Sequence, residues 1–359
     1  MTLPRSRARA RDLGLHIGPL PSGPHDAITD VGGVRVGNAT VWHDEPFVAR
    51  TGVTAIVFDD LAALFERPMA AGTAVLNGAG ELTGSVEIAE WGLLETPVLL
   101  TNTMGVGAAY QATVEAMLAA SARVGVDDVV IPVVGECDDS WLHDARGVAI
   151  TVDVARRAIV DAVPGNVEGG AIGAGTGMIS FGCKAGIGHA SRVTSIGTVG
   201  GLVLANFGQL DRLTVAGESI GPRLAASGLG RDDRPQPAGS CIVVLATDAP
   251  LTPHQCERLA RRAGLGLARV GSTAHHGSGE IFLAVSTTNR FERFSTEAFD
   301  TRRVVADGSL DELFAAAVDV TEAAVLDALS CADTVTGRSG LTIRAIPSDE
   351  FVRPRRSRA

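Results

Sequence analysis

At residues 239 and 240 the chain passes abruptly from a polar, proline-bearing stretch (231–238) into the apolar run Cys241-Ile242-Val243-Val244-Leu245-Ala246. A short branched run of this kind reads as a strand, with Gly239-Ser240 at its head. A glycine can hold a strained carbonyl, and the hydroxyl of the next residue can attack it. Such an internal acyl shift would leave Ser240 as a new N-terminus, with hydroxyl and free α-amine on one residue, one way to activate a weak nucleophile. Gly-Ser before a strand is by default an ordinary turn.

A second cluster bears on the choice. Ala274-His275-His276-Gly277-Ser278-Gly279-Glu280 runs into Ile281-Phe282-Leu283-Ala284-Val285. Residues two apart in extended chain share a face, so Ser278 and Glu280 converge as a possible proton relay. The bland alternative is a glycine-rich turn with a solvated acid. The paired histidines lack a third ligand at metal-binding spacing, so one is expected to pack near Ser278 and the other to face solvent.

With these blocks in place, the sequence resembles the DmpA-like family of L-aminopeptidases/D-esterases, which includes the β-peptidyl aminopeptidases. Further signatures are Asn77-Gly78-Ala79-Gly80-Glu81-Leu82-Thr83-Gly84, Leu100-Thr101-Asn102-Thr103, Gly173-Ala174-Gly175-Thr176-Gly177-Met178, Gly186-Ile187-Gly188 and Ala205-Asn206-Phe207-Gly208. The resemblance implies a precursor cut between Gly239 and Ser240 into an α chain (1–239) and a β chain (240–359). It makes Ser240 the nucleophile, Ser278 and Glu280 its assistants and Asn206 an oxyanion donor. It also implies a four-layer αββα sandwich of the α/β (α+β) class, similar to the Ntn hydrolases and to ornithine acetyltransferases, and a tetramer of processed heterodimers.

One departure matters. Where the family reads Glu-Thr-Tyr-Asp-Gly, this chain has Glu136-Cys137-Asp138-Asp139-Ser140. A tyrosine can donate a hydrogen bond, whereas an ionised Asp138 only accepts. Tyr110, the one tyrosine, falls in a helical stretch and is no obvious substitute. Glu136 is the expected partner of a substrate ammonium group, with Asp138 the second candidate. The reaction expected is hydrolysis of short peptides, amino-acid amides or esters through an acyl-enzyme, without a cofactor. An acyltransferase of the ornithine acetyltransferase type and an uncleaved scaffold remain alternatives.

Composition excludes other classes. A net charge of −10 argues against nucleic acid as partner, and neither a signal peptide nor a membrane-spanning run is read. The arginines near each end (Arg5, Arg7, Arg9, Arg11; Arg353, Arg355, Arg356, Arg358) read as solvated, frayed tails. Five widely spaced cysteines without a C-x-x-C pair fit a reducing, cytoplasmic compartment. Gly173-Ala174-Gly175-Thr176-Gly177 lacks the helix and the downstream acid of a dinucleotide site. Lys184, the sole lysine, reads as a buried-pair or surface residue.

Strands are expected at residues 53–58, 98–101, 129–134, 148–152 and 200–206, with strand, helix, strand after Ser240. Helices are expected at 107–123, 253–263 and 310–329. The second is capped by Thr252-Pro253-His254-Gln255 and the third by a box at Ser309-Leu310-Asp311-Glu312. Residues 228–238 read as an exposed linker.

Overall fold

The computed structural model describes residues 7–230 and 239–352, and at its centre two β-sheets are stacked face to face. The main strands are β1 (Val34–His43), β2 (Ala49–Phe58), β3 (Met69–Gly78), β4 (Leu93–Leu94), β5 (Val98–Asn102), β6 (Val133–Cys137), β7 (Ile187–Thr194), β8 (Gly197–Asn206), β9 (Ser240–Thr247) and β10 (Gly279–Arg290). The main helices are α1 (Val106–Ala120), α2 (Val152–Val160), α3 (Pro253–Ala260), α4 (Ala263–Arg269) and α5 (Asp311–Ser330).

One sheet has the order β1-β2-β5-β6 and the other β4-β3-β10-β9-β8-β7. Each contains one parallel pair, β5 with β6 and β9 with β10; the other neighbours run antiparallel. Parallel neighbours need a long crossover, which α1 supplies in the first sheet and α3 with α4 in the second.

Period-two alternation along the strands sorts side chains into layers. Ile56, Leu100 and Cys137 of the first sheet meet Leu204, Ile242, Val244 and Leu283 of the second. The intervening residues Val203, Val243, Leu245 and Phe282 pack outward on Leu259, Leu267 and Leu313. On the far side Val53, Ala55 and Leu99 meet Ala109, Ala112, Ala155 and Ala158 of α1 and α2. The result is the expected αββα sandwich. Burying each Val, Leu or Ile contributes about 1.5–3 kcal/mol, so strands sealed on both faces, β9 and β2 above all, anchor the assembly.

Several expectations need correction. Only the last two residues of 129–134 join a strand, because Pro132 has no N–H to give a ladder; Val129 remains exposed. Residues 148–152 form no strand. Val148 adopts a left-handed φ of 46°, and the Thr151 hydroxyl accepts from Val154 N at 3.3 Å to cap α2. The cap at Thr252 is as expected, with reciprocal bonds to Gln255, but α3 stops at Ala260 and α4 follows as a separate helix. The box at Ser309 does not form: Ser309 closes a 3-10 turn, and Glu312 accepts instead from Ser195, its backbone N–H at 3.0 Å and its hydroxyl.

Nor are Arg7 and Arg9 frayed. Arg7 donates to Ile346 O at 2.9 Å and Ser348 Oγ at 2.7 Å, and Arg9 pairs with buried Asp327 at 3.1 Å. The other terminal arginines except Arg11, and linker residues 231–238, lie outside the described residues. Among the described residues no helix is long and apolar enough to cross a membrane.

Candidate active site

Ser240 opens β9 and lies in register between Asn206, the last residue of β8, and Gly279, the first of β10. Three strand ends therefore meet at the junction singled out by sequence. A Cβ at Gly239 would lie 2.5 Å from Asn206 O and 2.7 Å from Phe207 Cα, so the position requires glycine for space. The Gly239 carbonyl accepts from Gly279 N–H at 3.2 Å.

The Ser278 hydroxyl donates to a carboxylate oxygen of Glu280, as the two-residue spacing predicts, and both side chains are buried. The second Glu280 oxygen is buried with no hydrogen-bond partner. Burial raises the Glu280 pKa above the usual carboxylate range, opposed by the Ser278 bond and by His275. Asn77, from the end of β3, secures this loop by donating to the carbonyls of His275 at 3.0 Å and His276 at 3.1 Å, and to that of Ser278. His275 lines the cleft beside Ser278, and His276 is exposed.

Asn206 is oriented on both sides of its amide. Its Nδ2 donates to Asp138 O at 2.9 Å, and its Oδ1 accepts from Ile179 N–H at 2.9 Å. An amide nitrogen carries two protons, so one Nδ2 proton remains for a ligand.

Glu136 is buried and held by two neutral donors, Glu81 N–H at 3.0 Å and the Thr103 hydroxyl. Burial raises its pKa. Asp138 behaves differently: its carboxylate turns back on Ser140, accepting from the backbone N–H at 2.9 Å and the hydroxyl at 3.1 Å. What Asp138 contributes at the centre is its carbonyl, on Asn206. Tyr110 packs on the helical side of the first sheet, away from the junction.

Gly239, Asn206 and Ser278 line a cleft of about 200 Å³ together with His275, Phe207 and Trp141, whereas Ser240, Glu280, Glu136 and Asp138 lie outside that lining. A family profile for peptidase family S58 matches residues 26–343. This chain belongs to peptidase family S58. The S58 enzyme is 39% identical to the β-peptidyl aminopeptidase BapA of Sphingosinicella microcystinivorans over 96% of this chain and 90% of that protein. Among solved structures it matches the L-aminopeptidase D-Ala-esterase/amidase of Ochrobactrum anthropi, a prototype serine aminopeptidase with a variant Ntn hydrolase fold. That match has 41% identity, a TM-score of 0.88 and 96% coverage of both chains. A β-aminopeptidase from Burkholderia sp. matches at 41% identity and a TM-score of 0.87, over 96% of this chain and 97% of the other. The S58 enzyme is thus a serine-type aminopeptidase on an Ntn-hydrolase-like fold.

Sequence reasoning gave no role to several residues that shape the S58 site. Asn77 and Thr103 lie inside quoted signature blocks, but their part is to hold other groups, which only contact geometry reveals. Lys184 is fully buried: its Nζ donates to the carbonyls of Gly175 at 3.1 Å, Met178 at 2.8 Å and Ala185 at 2.6 Å, supporting the turn that presents Ile179 to Asn206. Burial lowers its pKa to about 7 and raises that of nearby Asp139 to about 7. The glycines at 173–177 serve this turn too. A Cβ at Gly175 would lie 2.5 Å from Ile187 N and one at Gly177 2.7 Å from Asp139 Cβ, so the run is a packing device and no phosphate cradle.

Proposed function

We propose that the chain is made as a precursor that severs its own Gly239–Ser240 bond, and that the mature enzyme removes N-terminal residues from short peptides, amino-acid amides or esters. In processing, Ser240 Oγ adds to the Gly239 carbonyl, the C–N bond breaks as the hydroxyl proton passes to the Ser240 nitrogen, and water hydrolyses the resulting ester. The products are a Gly239 carboxylate and a Ser240 with free α-amine and hydroxyl. Gly279 N–H, already on the Gly239 carbonyl, would stabilise the developing oxyanion.

In turnover the same hydroxyl attacks the substrate carbonyl, its proton moves by way of the α-amine to the leaving amine or alcohol as the C–N or C–O bond breaks, and water then hydrolyses the acyl ester to release the N-terminal residue and free Ser240. Register supports the α-amine as intermediary. Ser240 pairs with Gly279 and Cys241 with Glu280, so the Ser240 side chain and the Glu280 carboxylate lie on opposite faces of the sheet. The Ser278–Glu280 pair therefore addresses the backbone nitrogen at the strand end, where the unpartnered Glu280 oxygen would accept a hydrogen bond from the neutral α-amine and stabilise the ammonium formed when that amine takes the hydroxyl proton. The free Nδ2 proton of Asn206 serves the oxyanion, a donor worth about 3–4 kcal/mol in comparable sites. Glu136, rather than Asp138, takes the substrate ammonium group, because its carboxylate has only neutral partners while that of Asp138 is engaged by Ser140.

The observation that carries the reading is the meeting of Ser240, Asn206 and Ser278–Glu280 at one strand end. The resemblance also supports a tetramer of processed heterodimers, and five free, buried cysteines support a cytoplasmic location. On a denaturing gel, wild type is expected to resolve into two fragments, the smaller beginning at Ser240, and Ser240→Ala to remain a single inactive band of 37.0 kDa. Cleavage persisting in Ser240→Ala would overturn the assignment.

A further inference from the structure

We propose that Trp141 is the residue that selects the side chain of the substrate's N-terminal residue, favouring apolar groups of about leucine size over glycine. The inference rests on the reading of Ser240 and Glu136 given above and extends it to specificity. The cleft over the junction is amphipathic. Asn206, Ser278 and His275 supply its polar lining, and Trp141, Ile179 and Phe207 its apolar lining.

The apolar part is backed, so it keeps its shape. Trp141 and Ile179 are partly buried and pack against a satellite cluster of Leu142, Val335 and Ile343 with Trp42 and Leu341. Phe207 is held edge-on by Phe181, with ring centroids 5.3 Å apart. The turn carrying Trp141 is fixed by Leu142 N–H and His143 N–H, which donate to Asp139 O at 3.2 and 3.0 Å.

Connectivity assigns this wall to the acyl half of the substrate. Residues 136–141 form one short segment: Glu136 awaits the ammonium group, the Asp138 carbonyl orients the oxyanion donor at 2.9 Å, and Trp141 enters the cleft. An acyl group fixed by its ammonium and its carbonyl oxygen has its side chain as the remaining substituent, next to the residue that follows in the same segment. A flat, rigid ring on an apolar backing rewards a branched aliphatic group and gives nothing to glycine.

The test uses full-length, self-processed enzyme and p-nitroanilides of glycine, alanine and leucine, with leucine amide as the second leaving group. Trp141→Ala is expected to lower kcat/KM for leucine p-nitroanilide about tenfold or more while changing the glycine substrate less than about threefold. Trp141→Phe should restore most of the difference. An equal loss on every side chain, or a loss that follows the leaving group, would overturn the proposal.

Binding of leucine amide and glycine amide, followed by calorimetry in wild type and Trp141→Ala alongside assays of their hydrolysis, separates the two readings. Trp141-dependent preference for leucine amide without hydrolysis would sink the Ser240 mechanism and leave Trp141 in place. Hydrolysis with no side-chain dependence would sink the Trp141 proposal alone. Loss of both would sink both.

Discussion

Glu136 and Glu280 are both carboxylates pushed upward in pKa by burial, yet the roles proposed for them predict different kinetic signatures, one in KM and one in kcat. Glu136 must be ionised to attract an ammonium ion. Because burial raises its pKa, that charge is lost as pH falls through a point above the usual carboxylate range. KM should therefore climb on mild acidification before ordinary carboxylates titrate. Glu136→Gln should raise KM on the order of 30-fold, the ratio matching about 2 kcal/mol for one partner of a desolvated charge pair, and should erase the acid limb of the KM profile. The acid limb of kcat expected from the role proposed for Glu280 should survive that substitution. Steady-state kinetics from pH 4 to about 8 distinguishes the two, and a KM unchanged by Glu136→Gln would remove Glu136 from the ammonium site.

At the level of elements, the site depends on how closely β9 enters beside the end of β8. Gly239→Ala would drive a methyl group to within 2.5 Å of Asn206 O and 2.7 Å of Phe207 Cα, both backbone atoms that cannot swing aside. Moving them shifts the Asn206 amide and the scissile carbonyl together, so this variant is expected to fold and yet process at least about 100-fold more slowly, as when one oxyanion donor is misplaced. A time course on denaturing gels measures it, and processing at the wild-type rate would show that Asn206 and Phe207 yield without cost. Much of this level was legible in sequence. The apolar runs at 53–58, 98–101 and 200–206 lie inside β2, β5 and β8, because a strand buried on both faces advertises itself by composition. Failures came where specific polar contacts overrode the local pattern: the Thr151 cap turned a β-branched run into a helix start, and Ser195, 117 residues away in sequence, drew Glu312 away from its capping box. The site divides the same way. Ser278 and Glu280 share a face through a period-two rule and could be read, whereas the turn of Asp138 onto Ser140 and the three carbonyls around Lys184 depend on contacts that spacing does not encode.

For the whole molecule, the proposed cut poses a question of integrity, since it divides the backbone at the centre of the larger sheet. The strand order β4-β3-β10-β9-β8-β7 answers it. The two strands that follow the cut, β9 and β10, lie between β3 and β8, both of which precede it. Separating the fragments would break the β8–β9 ladder, eight residue pairs long, and the β3–β10 ladder, and would expose both apolar faces of β9 and β10. Helix α5, also after the cut, packs on β7 and β8 from before it, with Ala324, Leu326 and Leu329 in the same core as Val203. One broken bond is negligible against these interfaces. The processed fragments are therefore expected to co-elute in native gel filtration, to separate only in denaturant, and to unfold in one transition seen alike by far-UV circular dichroism and tryptophan fluorescence. A fragment beginning at Ser240 that eluted alone under native conditions would contradict the interleaved sheet order from which the site itself is built.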